Sequence, residues 1–207
     1  MTPGDDGVRG SGVTTEVLVL RHGQSEWNAL GRWQGQENPP LTDLGREQAV
    51  EAAQAVGTVD AVFASPLDRA ARTAGIIAES IGVGPVVEID GLMERHAGEW
   101  QGLTRPEIEQ AWPGYLASGR RPPAWEDDQL VEARALGSLL AIVTARPGGS
   151  LLAVAHAGII YALERALGAE FDKIGNLAGR RFLHRNDGFD LGERVHLLGE
   201  ETVPGQI

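Results

Sequence analysis

The stretch Val17-Leu18-Val19-Leu20-Arg21-His22-Gly23-Gln24-Ser25-Glu26-Trp27-Asn28 decides the reading of this chain: an apolar run ends abruptly in a cation, an imidazole and a glycine. A short continuous apolar run bounded by turn residues reads as a strand buried on both faces of a parallel sheet. Open α/β sheets bind ligands in the crevice beyond the carboxyl ends of their strands, so Arg21 and His22 are expected to face one. Gly23 lets the backbone bend close to a bound group. Taken alone, such a stretch is more often an ordinary strand exit. The design recurs, however, in Leu151-Leu152-Ala153-Val154-Ala155-His156-Ala157-Gly158, which places two of the five histidines at equivalent strand ends.

Outward from these two strands, Trp27 to Pro40 is a polar, glycine-punctuated loop of a length that is usually functional. Thr42 caps a helix expected through Val56, with Ala49, Ala52, Ala53 and Val56 at helical spacing. Val59 to Ala64 reads as a second buried strand. Ser65-Pro66-Leu67-Asp68 reads as a helix start with Ser65 as N-cap, placing Arg69 near the crevice and Arg72 as its competitor.

Pro85 to Ile89 can form a third strand, and the segment from Asp90 to Gly102 has no sustained period. Its ionisable and aromatic residues suit an active-site loop, with Glu94 and Glu99 as candidate proton carriers. Thr104, Pro106 and Glu107 mark a short helix. Tyr115 to Asp128 reads as a surface excursion, and Leu130 to Arg146 as a helix whose N-terminus is favoured by Glu126-Asp127-Asp128. A helix follows His156 as far as Gly168. Two strands, Arg181 to Arg185 and Arg194 to Leu198, are joined through Asn186-Asp187-Gly188.

These elements predict a single α/β domain over residues 15–200 with a mostly parallel central sheet flanked by helices, between a flexible tail at 1–14 and a C-terminal tail at 201–207. A net charge of -11 argues against a nucleic-acid or anionic-membrane partner. The absence of cysteine removes disulfides, thiolate metal sites and a thiol nucleophile. The first residues lack the apolar core of a signal peptide, so a cytoplasmic protein is expected. A homodimer would be the commonest symmetric assembly.

Arg21-His22-Gly23, Asn28, the Gly31-Arg32-Trp33-Gln34-Gly35 turn, Pro40-Leu41-Thr42, Ser65-Pro66-Leu67-Asp68-Arg69-Ala70 with Thr73, Glu94, and Ala155-His156-Ala157-Gly158 together resemble the histidine phosphatase superfamily, also called the phosphoglycerate mutase-like family. The resemblance implies a phosphohistidine mechanism on a small phosphorylated metabolite. His22 would be the nucleophile, Arg21, Arg69 and His156 would surround the phosphoryl group, and Glu94 would be the proton donor. Asn28, Gln34, Gly35, the backbone N–H at Ala157, Arg95 and Arg105 would complete the binding of phosphate and substrate.

The chemistry suits these residue types. A neutral imidazole attacks a phosphate dianion without adding negative charge, and nearby arginines disfavour its protonation. Fixed donors aimed at the equatorial oxygens supply most of phosphoryl-transfer catalysis. A leaving alkoxide needs a proton, and an adjacent phosphate dianion favours the proton-bearing form of Glu94. No zinc-helix histidine spacing and no Walker-type loop is present, so neither metal nor cofactor is expected.

Phosphatase and mutase differ in whether water or a bound acceptor takes the phosphoryl group. Glu94-Arg95-His96 with Gly98 and Gln101-Gly102 looks like cofactor-dependent phosphoglycerate mutases, where Arg105, Arg120 and Arg121 would mimic carboxylate-binding residues. Ala97 in place of the mutase tyrosine, Trp100, and Leu103-Thr104-Arg105 look phosphatase-like, and the phosphatase is the preferred reading. A third alternative is an inactive member that binds phosphate esters or proteins. His96, His184 and His196 have structural readings, and Trp27, Trp33 and Trp100 either line the pocket or staple loops.

Overall fold

The computed structural model describes residues 13–186 and 188–199. The expected tails, apart from Val13 and Thr14, and Asp187 of the hairpin turn lie outside the described residues. In chain order the elements are β1 (Thr15–Arg21), α1 (Glu26–Ala29), α2 (Asp43–Ala55), β2 (Ala61–Ala64), α3 (Asp68–Ile81), β3 (Val87–Glu88), α4 (Arg105–Ala111), α5 (Tyr115–Ser118), α6 (Asp128–Ala145), β4 (Ser150–Ala155), α7 (Ala157–Ala166), β5 (Ala178–Arg185) and β6 (Gly188–His196). The strands form one six-stranded sheet in the order β3-β2-β4-β1-β5-β6. The first four in that order run parallel, and β5 and β6 are antiparallel.

Alternation along β1 divides the core in two. Val17 and Val19 join Leu139, Ile142, Ile159 and Leu163 beneath α6 and α7, whereas Leu18 and Leu20 join Ala52, Ala70, Ala74 and Ile77 beneath α2 and α3. Fully burying a leucine or isoleucine contributes about 1.5–3 kcal/mol, and alanines on α2 and α3 let those helices approach the sheet closely. Arg21 pairs with Ala155 across β1 and β4, and Ala64 with Val154 across β2 and β4. Consequently His22, Ser65 and His156 leave adjacent strands at one end of the sheet.

Five local expectations are corrected. Ser65 is not the N-cap of α3: Leu67 occupies that position without a side-chain cap bond, and Asn38 Oδ1 accepts from Asp68 N at 2.7 Å instead. The third strand contracts from 85–89 to Val87–Glu88 at the sheet edge, since Pro85 has no N–H to give the ladder. The loop after β1 begins with the single turn α1, closed by a Ser25–Asn28 capping box. Helix α6 starts at Asp128 with Asp127 as its cap. The last strand begins at Gly188 rather than Arg194, because an edge strand paired on one side keeps polar residues that mask its alternation.

Candidate active site

His22 stands just past β1, where its N–H donates to Ala155 O at 3.1 Å. Its Nδ1 is 2.6 Å from Gly23 O. A carbonyl only accepts, so Nδ1 carries the proton and Nε2 presents a lone pair. Arg69 Nε donates to that Nε2 at 3.2 Å. Burial, then Arg69, then Arg21 hold the His22 pKa well below 6.5, so the ring is neutral at physiological pH.

Arg69 is fully buried. Its Nη1 donates to Glu37 O and its Nη2 to Gly35 O, each at 2.8 Å. Burial lowers its pKa to about 10, which still leaves a cation at neutral pH. Gly35 adopts a φ of +52°, and a Cβ there would lie 2.2 Å from Gln101 Oε1; only glycine brings this carbonyl to Arg69. Arg21 is also buried, and its Nη1 donates to Ile174 O at 2.7 Å.

His156, the N-cap of α7, packs edge-on against His22 with ring centroids 5.2 Å apart. Its Nε2 is 2.8 Å from Ser65 Oγ, while its buried Nδ1 has no hydrogen-bond partner. Burial, followed by Arg69, His22 and Arg21, places its pKa well below 6.5. Glu94 faces the same cavity: Oε1 accepts from Arg95 N at 2.7 Å and Oε2 from Gly158 N at 3.1 Å. A Cβ on Gly158 would sit 2.2 Å from Glu94 Oε1, so the missing side chain is the seat of the carboxylate.

These groups line a cavity of about 320 Å³. Among the expected residues, Arg21, His22, Arg69, Glu94, Gln34, Gly35, Arg95 and Ala157 are in its wall, and His156 is packed behind His22. Ser25 Oγ donates to Gln34 Oε1 at 2.7 Å, which turns the amide nitrogen of Gln34 away as a remaining donor. Asn28 is buried under the His22 loop, its Oδ1 accepting from Ser25 N at 3.2 Å. Arg105 is not brought to the cavity: it is exposed at the start of α4, beside Glu109 and Leu116. Glu99 is exposed outside the cavity wall, and Arg72 pairs with Asp68.

Sequence reading did not single out Tyr161, Trp125, Asp128 and Arg165 of the wall, or Asn176 beside it. Tyr161 accepts from Ile174 N at 2.9 Å, so the backbone N–H and carbonyl of one residue fix both its hydroxyl and Arg21. Asn176 Nδ2 donates to His22 O at 2.8 Å. On the outer wall, Arg95 pairs with Asp128 at 2.6 Å, and Arg165 approaches the same carboxylate at 3.3 Å. Trp33, Trp100 and Trp125 pack edge to face with centroids 5.3–5.8 Å apart, and Arg121 lies over Trp125 at 4.9 Å. Trp33 thus lines the cavity, Trp100 is buried behind it, and Trp27 packs against Gly102. The helical period of α7 marks the face that carries Tyr161, but the others are gathered only by tertiary folding.

The two depressed imidazoles make stability pH-dependent. Each is neutral when folded and takes a proton below about pH 6.5 when unfolded, so their stabilisation is complete above that pH and is lost as pH falls toward the folded values. Denaturant unfolding is expected to show a loss on the order of 1 kcal/mol per histidine between pH 6.5 and 5.5. A flat profile in that window would contradict burial of neutral rings.

Among the described residues no group of three or more His, Asp or Glu is arranged to hold a metal ion. None of their helices is long and apolar enough to cross a membrane. The family model for the histidine phosphatase superfamily (branch 1) matches residues 17–184. A glucosyl-3-phosphoglycerate phosphatase from Mycobacterium tuberculosis is 37% identical over 167 residues, covering 73% of this chain and 74% of the relative. A metal-independent phosphoserine phosphatase from Arabidopsis thaliana is 35% identical over 160 residues, covering 72% and 67%. The solved structure of a mycobacterial glucosyl-3-phosphoglycerate phosphatase with VO3 superposes with a TM-score of 0.77 at 30% identity, covering 86% of this chain and 96% of that one. With its phosphoglycerate mutase-like α/β fold and a family match across most of its length, this chain belongs to branch 1 of the histidine phosphatase superfamily.

Proposed function

We propose that the chain is a phosphomonoester hydrolase that forms a phosphohistidine on His22 Nε2, without a metal, and acts on a small phosphorylated metabolite. The observation that carries this reading is the neutral His22, its lone pair beside two buried arginines and its ring in the same wall as Glu94. Nε2 attacks phosphorus as the ester P–O bond breaks, and Glu94 gives its proton to the departing alkoxide. Water then attacks the phosphoryl group, Glu94 takes its proton, and the P–N bond breaks to free phosphate. Arg21 and Arg69 hold charge on the equatorial oxygens, with the Ala157 backbone N–H at the α7 start beside them. The unpartnered Nδ1 of His156 has hydrogen-bonding capacity for a phosphoryl oxygen.

Hydrolysis is preferred over phosphoryl return to a bound acceptor, in keeping with the phosphatase relatives. The test is a metal-free phosphate-release panel headed by glucosyl-3-phosphoglycerate and phosphoserine, with 3-phosphoglycerate also assayed for isomerisation in the presence of its bisphosphate. Phosphate release is expected to dominate; rapid isomerisation with negligible release would make the chain a mutase.

Gly158→Ala offers a separate check on Glu94. At the second position of α7 an alanine is no worse for the helix than glycine, yet its Cβ must displace the carboxylate. Turnover of alkyl phosphates is expected to fall about tenfold or more, with Tm unchanged or raised. Full activity in that variant would show that Glu94 does not work from this position.

A further inference from the structure

We propose that Arg134, on α6 and outside the cavity, is the positioning residue that sets Glu94 for proton transfer, and that it does so by locking the Glu94 loop to the Trp125–Glu126 wall. The inference rests on the reading of Glu94 as the acid. Arg134 Nε and Nη2 donate to the two carboxylate oxygens of Glu126 at 2.7 and 2.9 Å. Its Nη1 donates to Gly91 O at 2.9 Å and also to Met93 O, and Nη2 reaches Glu94 O at 3.2 Å. One guanidinium therefore holds three carbonyls of the segment that ends at the proposed acid.

Glu126 extends the clamp to the substrate side. Its Oε2 accepts from His96 N at 2.9 Å, its backbone N donates to His96 O at 3.0 Å, and its carbonyl accepts from Arg95 Nη1 at 2.7 Å. The neighbouring Trp125 lines the cavity with Arg95. The wall that meets the leaving alcohol and the carboxylate that protonates it are thus fixed by the same pair. A planar fork with five N–H donors is needed, and an ammonium cannot serve the same set of acceptors in one geometry.

Leaving-group dependence separates positioning from general structural support. Nitrophenolate departs without a proton, whereas an alkoxide does not, so a misplaced acid slows phosphoenzyme formation from alkyl phosphates alone. In single-turnover measurements, Arg134→Lys is expected to slow reaction with phosphoserine or glycerol phosphate by roughly tenfold or more, and with p-nitrophenyl phosphate by less than about twofold. Glu126→Gln, which keeps shape and an acceptor for His96, should show the same selectivity at smaller size. Equal losses on both substrate types, or no loss on either, would overturn the proposal. Glu94→Gln provides the reference: selectivity there but not in the Arg134 and Glu126 variants overturns this inference alone. A Glu94→Gln variant without selectivity overturns the acid assignment, and this inference with it.

Discussion

His22→Ala is expected to end turnover, lowering phosphate release from any ester by at least about 10⁴-fold. No other imidazole among the described residues is in the cavity wall: His156 sits behind His22, with its Nε2 against Ser65. Water admitted to the space left by the ring would lie near Arg69 and Arg21, but Glu94, which must carry a proton for the departing alkoxide, could not also take one from that water. The wild-type protein, quenched in alkali after mixing with labelled substrate, should carry one acid-labile, alkali-stable phosphoryl group, as a phosphoramidate does. The variant should carry none. Substantial phosphate release by purified His22→Ala, or label retained on it, would place the nucleophile elsewhere.

The second largest effect is expected for Arg69→Ala, a loss of about 10³-fold in kcat/KM. Its Nε contact to His22 and its charge beside the phosphoryl site disappear together. The carbonyls of Gly35 and Glu37 also lose their donor, at about 1–3 kcal/mol for each one left unsatisfied. Arg69→Lys should recover little, since one ammonium replaces a three-way fork. Arg69 is also the second cause, after burial, of the low His22 pKa. Its removal should therefore move the acid limb of the rate profile to higher pH. An unmoved limb with near-normal kcat/KM would show that Arg69 only packs.

The parts of the site that could be read from sequence are those with local signatures. Strand exits at Arg21-His22-Gly23 and Ala155-His156 are legible because an unbroken apolar run that stops at polar residues marks both the buried strand and its end. The Thr104–Glu107 capping box is legible because its bonds span three residues. Ser65 shows where such reasoning stops: Ser-Pro reads as a helix cap, but the hydroxyl instead meets His156, 91 positions away. Asn176 is placed by a contact to the backbone of His22, 154 positions away, which leaves no local pattern. Arg105 and Arg121 look alike as sequence, yet only the second is folded back over Trp125 and into the cavity wall.

The spacing of the two imidazoles follows from strand pairing. β1 and β4 are central, hydrogen-bonded in register, and neighbouring strands of any sheet lie about 4.8 Å apart. The rings of His22 and His156 are therefore spaced by the scaffold, while Arg95, Arg121 and Trp125 of the outer wall are supplied by connections between elements. On the proposed reading, retailoring the site for a bulkier or differently charged alcohol is thus a matter of rebuilding those connections while the two strand ends stay as they are.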